Sequence, residues 1–236
     1  METRERVINT WRDPYDEGFS TCRPKQITIN SGLTVLVGCN GAGKTTLLHN
    51  IKDELEKENI PCHLYDNLRD GGSHSWSEAA FNDNWAFVAT SMTASEGENI
   101  NMNIGNLATK LAEFRDSGRI SDKTSRIADI FSDKPYEAPD TKERWLLFDA
   151  VDSGLSVDNV IELKNFFRII IEDFAEKGYE LYIVVSANEF ELARDEDCFD
   201  VMSGKYIRFA DYDDYRKFIV KAEKRKIKGM RSNGVF

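Results

Sequence analysis

Across 236 residues, 41 Asp and Glu oppose 31 Lys and Arg for a net charge of −10, and 41% of the chain is hydrophobic, which excludes disorder as the main state and suits one domain with an adequate core. No apolar stretch approaches the roughly 20 residues of a membrane span, charges run through the first 30 residues, and the four cysteines show no zinc-ligand spacing, so the expectation is a cytoplasmic protein with reduced thiols and no membrane contact. The acidic balance also excludes a general nucleic-acid coat, which needs clustered cations.

In chain order, residues 26–29 and 33–37 read as short β-branched strands joined at Asn30-Ser31-Gly32, a hairpin signal. The second strand runs into a glycine-rich turn. Leu47, Leu48, Ile51 and Leu55 then mark a helix over 44–57, followed by a strand at 63–65. Residues 68–84 read as a long loop, and helical spacing resumes over 96–114 and 121–131. Trp145-Leu146-Leu147-Phe148 is a continuous apolar run ending in Asp149, the pattern of a strand buried on both faces of a parallel sheet. A helix over 157–177, a buried strand at 181–185, a hairpin around 203–205 and a last helix starting near Asp211 complete the reading. Strands alternating with helices imply an α/β fold.

Gly38-Cys39-Asn40-Gly41-Ala42-Gly43-Lys44-Thr45 matches G-x-x-x-x-G-K-[ST] in full, between an apolar strand and a helix. Glycines let the backbone curl so that the N–H groups from about Gly41 to Thr46 point at a phosphate from a helix N-terminus. Lys44 is then placed to reach the β/γ oxygens of ATP, and the Thr45 hydroxyl to ligate Mg²⁺. Such a loop needs a second acidic group for Mg²⁺, usually at the end of a buried strand beside it. Asp149 is the candidate.

With these motifs the sequence resembles the ABC-type ATPases, more closely the soluble heads of the SMC and RecF group than transporter subunits. Residues 38–47 carry the ABC wording of the P-loop, Leu146 to Ser156 resemble that family's Walker B strand and D-loop, and Ala94-Ser95-Glu96-Gly97-Glu98 resembles its signature motif. The resemblance implies a homodimer of heads sandwiching two ATP·Mg²⁺, with Ser95 and the Gly97 N–H on the γ-phosphate across the interface. The same Ser95 and Glu98 also read as an ordinary capping box. Departures from the family pattern bear on catalysis. The family's catalytic glutamate is replaced by Ala150, with Asp152 the candidate substitute base. The switch histidine corresponds to about Ala187, with Asn188 beside it, and the Q-loop glutamine is missing, Asp66 or Asn67 being the nearest substitutes. No heptad run fits between Lys44 and Asp149, which implies a free-standing head.

Trp11, Tyr15 or Phe19 could stack on adenine or simply pack in the core. Residues 216–231 hold eight Lys and Arg against Glu223 alone, a local +7 that leaves −17 for the rest. That segment reads as a solvated helix face or as a contact for nucleic acid or an acidic partner. The expectation is one domain over 1–236, a P-loop NTPase of ABC-ATPase type. It has a mainly parallel core sheet, an antiparallel N-terminal β flank, a small helical insertion at about 94–140 and a C-terminal basic helix or tail at 211–236. Its expected function is slow ATP hydrolysis with dimerisation as a conformational switch for DNA or a partner protein. The alternative is a non-hydrolysing nucleotide-binding scaffold in a larger complex with an effector protein.

Overall fold

A computed structural model describes residues 3–10, 24–66, 110–120, 137–152 and 156–232. Among these residues the strands are β1 (Glu5–Asn9), β2 (Gln26–Asn30), β3 (Gly32–Val37), β4 (Cys62–Asp66), β5 (Glu143–Asp149), β6 (Glu180–Ser186), β7 (Cys198–Asp200) and β8 (Lys205–Ile207). The helices are α1 (Lys44–Lys57), α2 (Val157–Glu176), α3 (Phe190–Ala193) and α4 (Tyr212–Ser232), besides a helical segment over 110–117.

Six strands form one sheet in the order β4-β5-β6-β3-β7-β8, parallel throughout except for the β7–β8 hairpin. The apolar runs explain the placement of its central strands. In β5 every residue from Arg144 to Asp149 is buried, and in β6 every residue from Leu181 to Ser186, because helices cover both faces. Side-chain alternation divides the core in two. Leu146, Phe148, Ile183 and Val185 pack with Leu163, Phe167 and Phe174 of α2. Trp145, Leu147, Tyr182 and Val184 pack with Leu47, Leu48, Ile51 and Leu55 of α1. Trp145 and Tyr182 are register partners whose rings stack at 4.2 Å. Each such side chain contributes about 1.5–3 kcal/mol by leaving water.

The expected hairpin at Asn30-Ser31-Gly32 does not form. Strand β2 pairs antiparallel with β1 in a separate two-stranded sheet, while β3 lies between β6 and β7. The apolar run of β3 suits the doubly covered sheet, whereas Gln26-Ile27-Thr28-Ile29 buries only its two isoleucines, against α1. Gly32, at φ +94°, turns the chain from one sheet to the other. The antiparallel N-terminal flank is thus present, built from β1 and β2. The second expected hairpin forms as β7–β8, its turn held by the buried Asp200, which accepts from the Met202 N–H and the Ser203 hydroxyl.

Of the expected insertion at 94–140, only 110–120 and 137–140 lie within the described residues. Leu111 and Phe114 anchor that helical segment in the α2-side core. Its C-terminal end is held by Arg144, 1% exposed, which donates to the carbonyls of Phe114, Arg115, Thr141 and Glu143. A guanidinium, with five donors in a fixed fork, suits this carbonyl cluster. No helix among the described residues is long and apolar enough to cross a membrane.

Candidate functional site

Because β3, β4, β5 and β6 run parallel, their C-terminal ends share one edge of the sheet, and the motifs predicted from sequence gather there. Loop 38–43 leaves β3 and opens α1. Ala42 N–H donates to the Cys39 carbonyl at 2.9 Å, and Gly41 (φ +71°) and Gly43 (φ +93°) adopt left-handed conformations that curl the chain. Gly43 is the N-cap residue of α1, with no side chain capping the first turn, so helix-terminal N–H groups of Lys44, Thr45 and Thr46 face outward as an anion-binding end. Gly38 has no space for a side chain: a Cβ there would stand 2.9 Å from Ala42 Cβ and 3.0 Å from Val201 Cγ2.

Lys44 folds back along this loop and donates to the Gly38 carbonyl at 3.0 Å. Burial pushes its pKa below the ordinary lysine value, opposed by the charges of Asp152, Cys39 and Asp149. Both carboxylates therefore lie within electrostatic reach of the ammonium. Thr45 and Thr46 are exposed on the first turn of α1.

Asp149 ends β5 as expected, yet β5 is not the neighbour of β3. Strand β6 lies between them. The last residue of β6 fills the gap. Ser186 is paired in register with Leu36, and its hydroxyl donates to Asp149 Oδ1 at 2.7 Å while accepting the Ala150 N–H at 2.7 Å. Ala150 occupies the left-handed region at φ +51°.

Asp152 is 1% exposed. Its Oδ2 accepts the N–H groups of Asn188 and Glu189 at 2.6 and 2.7 Å, and its Oδ1 faces Asn188 Nδ2 at 3.4 Å. The carboxylate thereby ties the turn after β5 to the turn after β6. Burial raises its pKa, opposed by those two backbone donors. Asn188, singled out beside the missing histidine, passes the chain of contacts onward: its carbonyl accepts the Tyr215 hydroxyl of α4 at 3.1 Å. The far end of α4 returns to the loop, where Lys226 Nζ donates to the Asn40 carbonyl at 2.6 Å.

Ser95, Gly97, Glu98, Asn67 and the N-terminal aromatics Trp11, Tyr15 and Phe19 lie outside the described residues. Sequence reasoning missed Ser186, Tyr215 and Lys226. Ser186 carried a usable signal, a polar residue closing an apolar strand run at the sheet edge. Nothing local distinguishes Lys226 from the seven other basic residues around it.

No protein-family model matches the chain, and no curated protein does. Among solved structures it is similar to a nucleotide-free ATP-binding cassette from an ABC transporter. That likeness has 14% identity and a TM-score of 0.43, and it covers 94% of this chain and 99% of that one. At that identity and score it says nothing about what this chain binds.

Proposed function

We propose that the chain binds ATP with Mg²⁺ at loop 38–46. The carrying observation is the loop itself: two left-handed glycines, an uncapped helix N-terminus and a lysine folded along the curl. These are the parts that phosphate recognition by backbone N–H groups requires. The residues fit the ligand, since Gly38 keeps the loop narrow and the Lys44 ammonium, bonded to the Gly38 carbonyl, lies on the same curl where it can pair with a phosphate. Within this reading Gly38, Asn40, Gly41, Ala42, Gly43, Lys44, Thr45 and Thr46 make the phosphate cradle. Thr45 and Asp149 hold Mg²⁺, which supplies charge neutralisation on the phosphates.

Turnover in this reading is slow. Ala150 offers no carboxylate to take a proton from attacking water, and Asp152 is committed to two backbone donors. The further roles follow from the family resemblance: ATP-dependent homodimerisation, a γ-phosphate contact from Ser95, Gly97 and Glu98 of a facing copy, and a conformational output to DNA or a partner protein. The alternative, a nucleotide-binding scaffold for an effector that does not hydrolyse ATP, is favoured by Ala150 as well.

Light scattering with and without ATP·Mg²⁺, run beside phosphate release, tests these readings. Wild type should bind ATP and dimerise, and Lys44→Ala should do neither. Equal phosphate release from both proteins, with tight binding only in wild type, selects the scaffold. Absence of ATP binding by wild type refutes the proposal.

A further inference from the structure

Helix α4 reaches the phosphate loop from outside, and its contact there is specific. Ala222, one helical turn before Lys226, is 3% exposed and belongs to the same apolar cluster as Cys39 and Ala42. Tyr215 fixes the other end of the helix on the Asn188 carbonyl. One turn beyond these anchors Lys226 is half-buried, whereas Lys224, Arg225 and Lys228 are exposed. Lys226 donates to Asn40 O at 2.6 Å. None of the other basic side chains described on α4 makes a hydrogen bond or ion pair with another described residue. Lys226 is thus set apart from the solvated charge around it.

The position of the contact gives it meaning. In a trans peptide the C=O and the following N–H point in opposite directions. An ammonium holding the Asn40 carbonyl outward therefore turns the Gly41 N–H toward the inside of the curl. Gly41 is the residue at which this orientation is least secure, since a glycine at φ +71° can rotate its preceding peptide plane at little cost. The ammonium also rests against Gly41, standing 3.4 Å from where a Cβ would be.

We infer that Lys226 is a positioning residue of the phosphate loop: the C-terminal helix lays its ammonium on the Asn40 carbonyl and so presets the Gly41 N–H for a nucleotide phosphate. The inference rests on the nucleotide reading above. It makes α4 a strap from the turn after β6 to the loop after β3, so that phosphate binding and the basic helix are physically joined. Preorganisation of this kind lowers the ordering cost of binding without adding a ligand contact.

The test is calorimetric titration of ATP and of inorganic tripolyphosphate, beside amide exchange of the ligand-free protein. The variants are Lys226→Met, Lys226→Arg and Lys221→Met, the last removing an equal charge without the contact. Lys226→Met should weaken both ligands by about 3- to 10-fold, the effect of one net hydrogen bond. It should speed exchange at Gly41. Lys226→Arg should restore both properties, and Lys221→Met should leave the Gly41 exchange untouched. Where wild type binds ATP, equal affinity in Lys226→Met, or an equal loss in Lys221→Met, overturns the inference. Should wild type bind neither ligand, the nucleotide reading fails and the clamp is decided by exchange alone. Acceleration at Gly41 in Lys226→Met then supports the clamp, and unchanged exchange overturns it.

Discussion

Ser186 Oγ lies 2.7 Å from both Asp149 Oδ1 and the Ala150 nitrogen, donating to the first and accepting from the second. One hydroxyl thus fixes a carboxylate rotamer and a left-handed backbone turn at once. Ser186 and Asp149 are 1% and 5% exposed, so water is a poor replacement for either bond. Ser186→Ala should therefore cost about 1–3 kcal/mol, the penalty for a buried polar group left without its partner. Urea unfolding measures this directly. In the nucleotide reading the same variant should weaken binding more with Mg²⁺ present than with Mg²⁺ chelated, because only the first uses Asp149.

Asp152 carries the contact between the turns after β5 and β6, and its protonation sets a sign for pH dependence. Its folded-state pKa is raised, chiefly by burial, so the folded chain holds that proton more tightly than the unfolded chain. The contribution of this carboxyl to stability accordingly rises as pH falls through the window just above the ordinary value of 3.8. Asp152→Asn removes that titration and replaces an ionised acceptor with a neutral amide oxygen opposite the two backbone N–H groups, weakening both charge-assisted bonds at a cost of about 1–3 kcal/mol at pH 7. The stability difference between wild type and variant should widen between pH 7 and pH 4 in paired urea titrations. A constant difference would show that the carboxylate does not titrate in this range.

The contrast between Asp149 and Lys226 shows what was legible in the sequence. Asp149 is marked locally, as the charged end of an apolar run, and so are α1, β4, α2 and β6, whose periodicity records which faces are buried. The P-loop is legible because its glycines and lysine are contiguous. The pairing of β2 was misread because Asn30-Ser31-Gly32 is turn chemistry in either topology, and only the competition of β6 and β7 for β3 decides it. The insertion of β6 between β3 and β5 is likewise a property of the sheet. Ser186, Tyr215 and Lys226 act through partners distant in sequence, 186 residues away for Lys226 and Asn40, and no spacing rule reaches that far.

Arg144 offers a test of the fold apart from the nucleotide site. Its guanidinium gathers four carbonyls from two chain segments in a place 1% exposed. Arg144→Lys retains the charge but replaces a planar fork with a single ammonium that cannot span the four acceptors. A loss of about 2–4 kcal/mol is expected, within the range for breaking a buried polar network. Exchange protection over 110–117 should fall more than protection over β6, since the helical segment loses its C-terminal anchor.

Gly38→Ala tests whether the loop must stay narrow. The added Cβ meets Ala42 Cβ at 2.9 Å and Val201 Cγ2 at 3.0 Å, and a Cβ on the loop cannot give way without moving backbone. Overpacking of this kind costs about 1–3 kcal/mol. The displaced backbone also carries the N–H groups proposed to hold phosphate, so ATP affinity should drop further than the loss of stability alone would produce. Calorimetric titration at a temperature where the variant is fully folded separates the two effects.

Lys44 links the site to stability in the opposite direction. Burial lowers its folded-state pKa, so the unfolded chain binds this proton more tightly, and stability due to Lys44 rises as pH climbs toward the ordinary value of 10.5. Lys44→Met removes the cost of a buried charge together with its bond to Gly38 O, two opposing effects, so the ligand-free variant should be about as stable as wild type and lose that alkaline rise. ATP discriminates the two sharply. A ligand present at ~100 times its Kd stabilises the folded state by about 2.7 kcal/mol, which raises the thermal midpoint of wild type. Lys44→Met should show no such rise at the same concentration of ATP·Mg²⁺. An equal rise in both proteins would place the nucleotide somewhere other than loop 38–46.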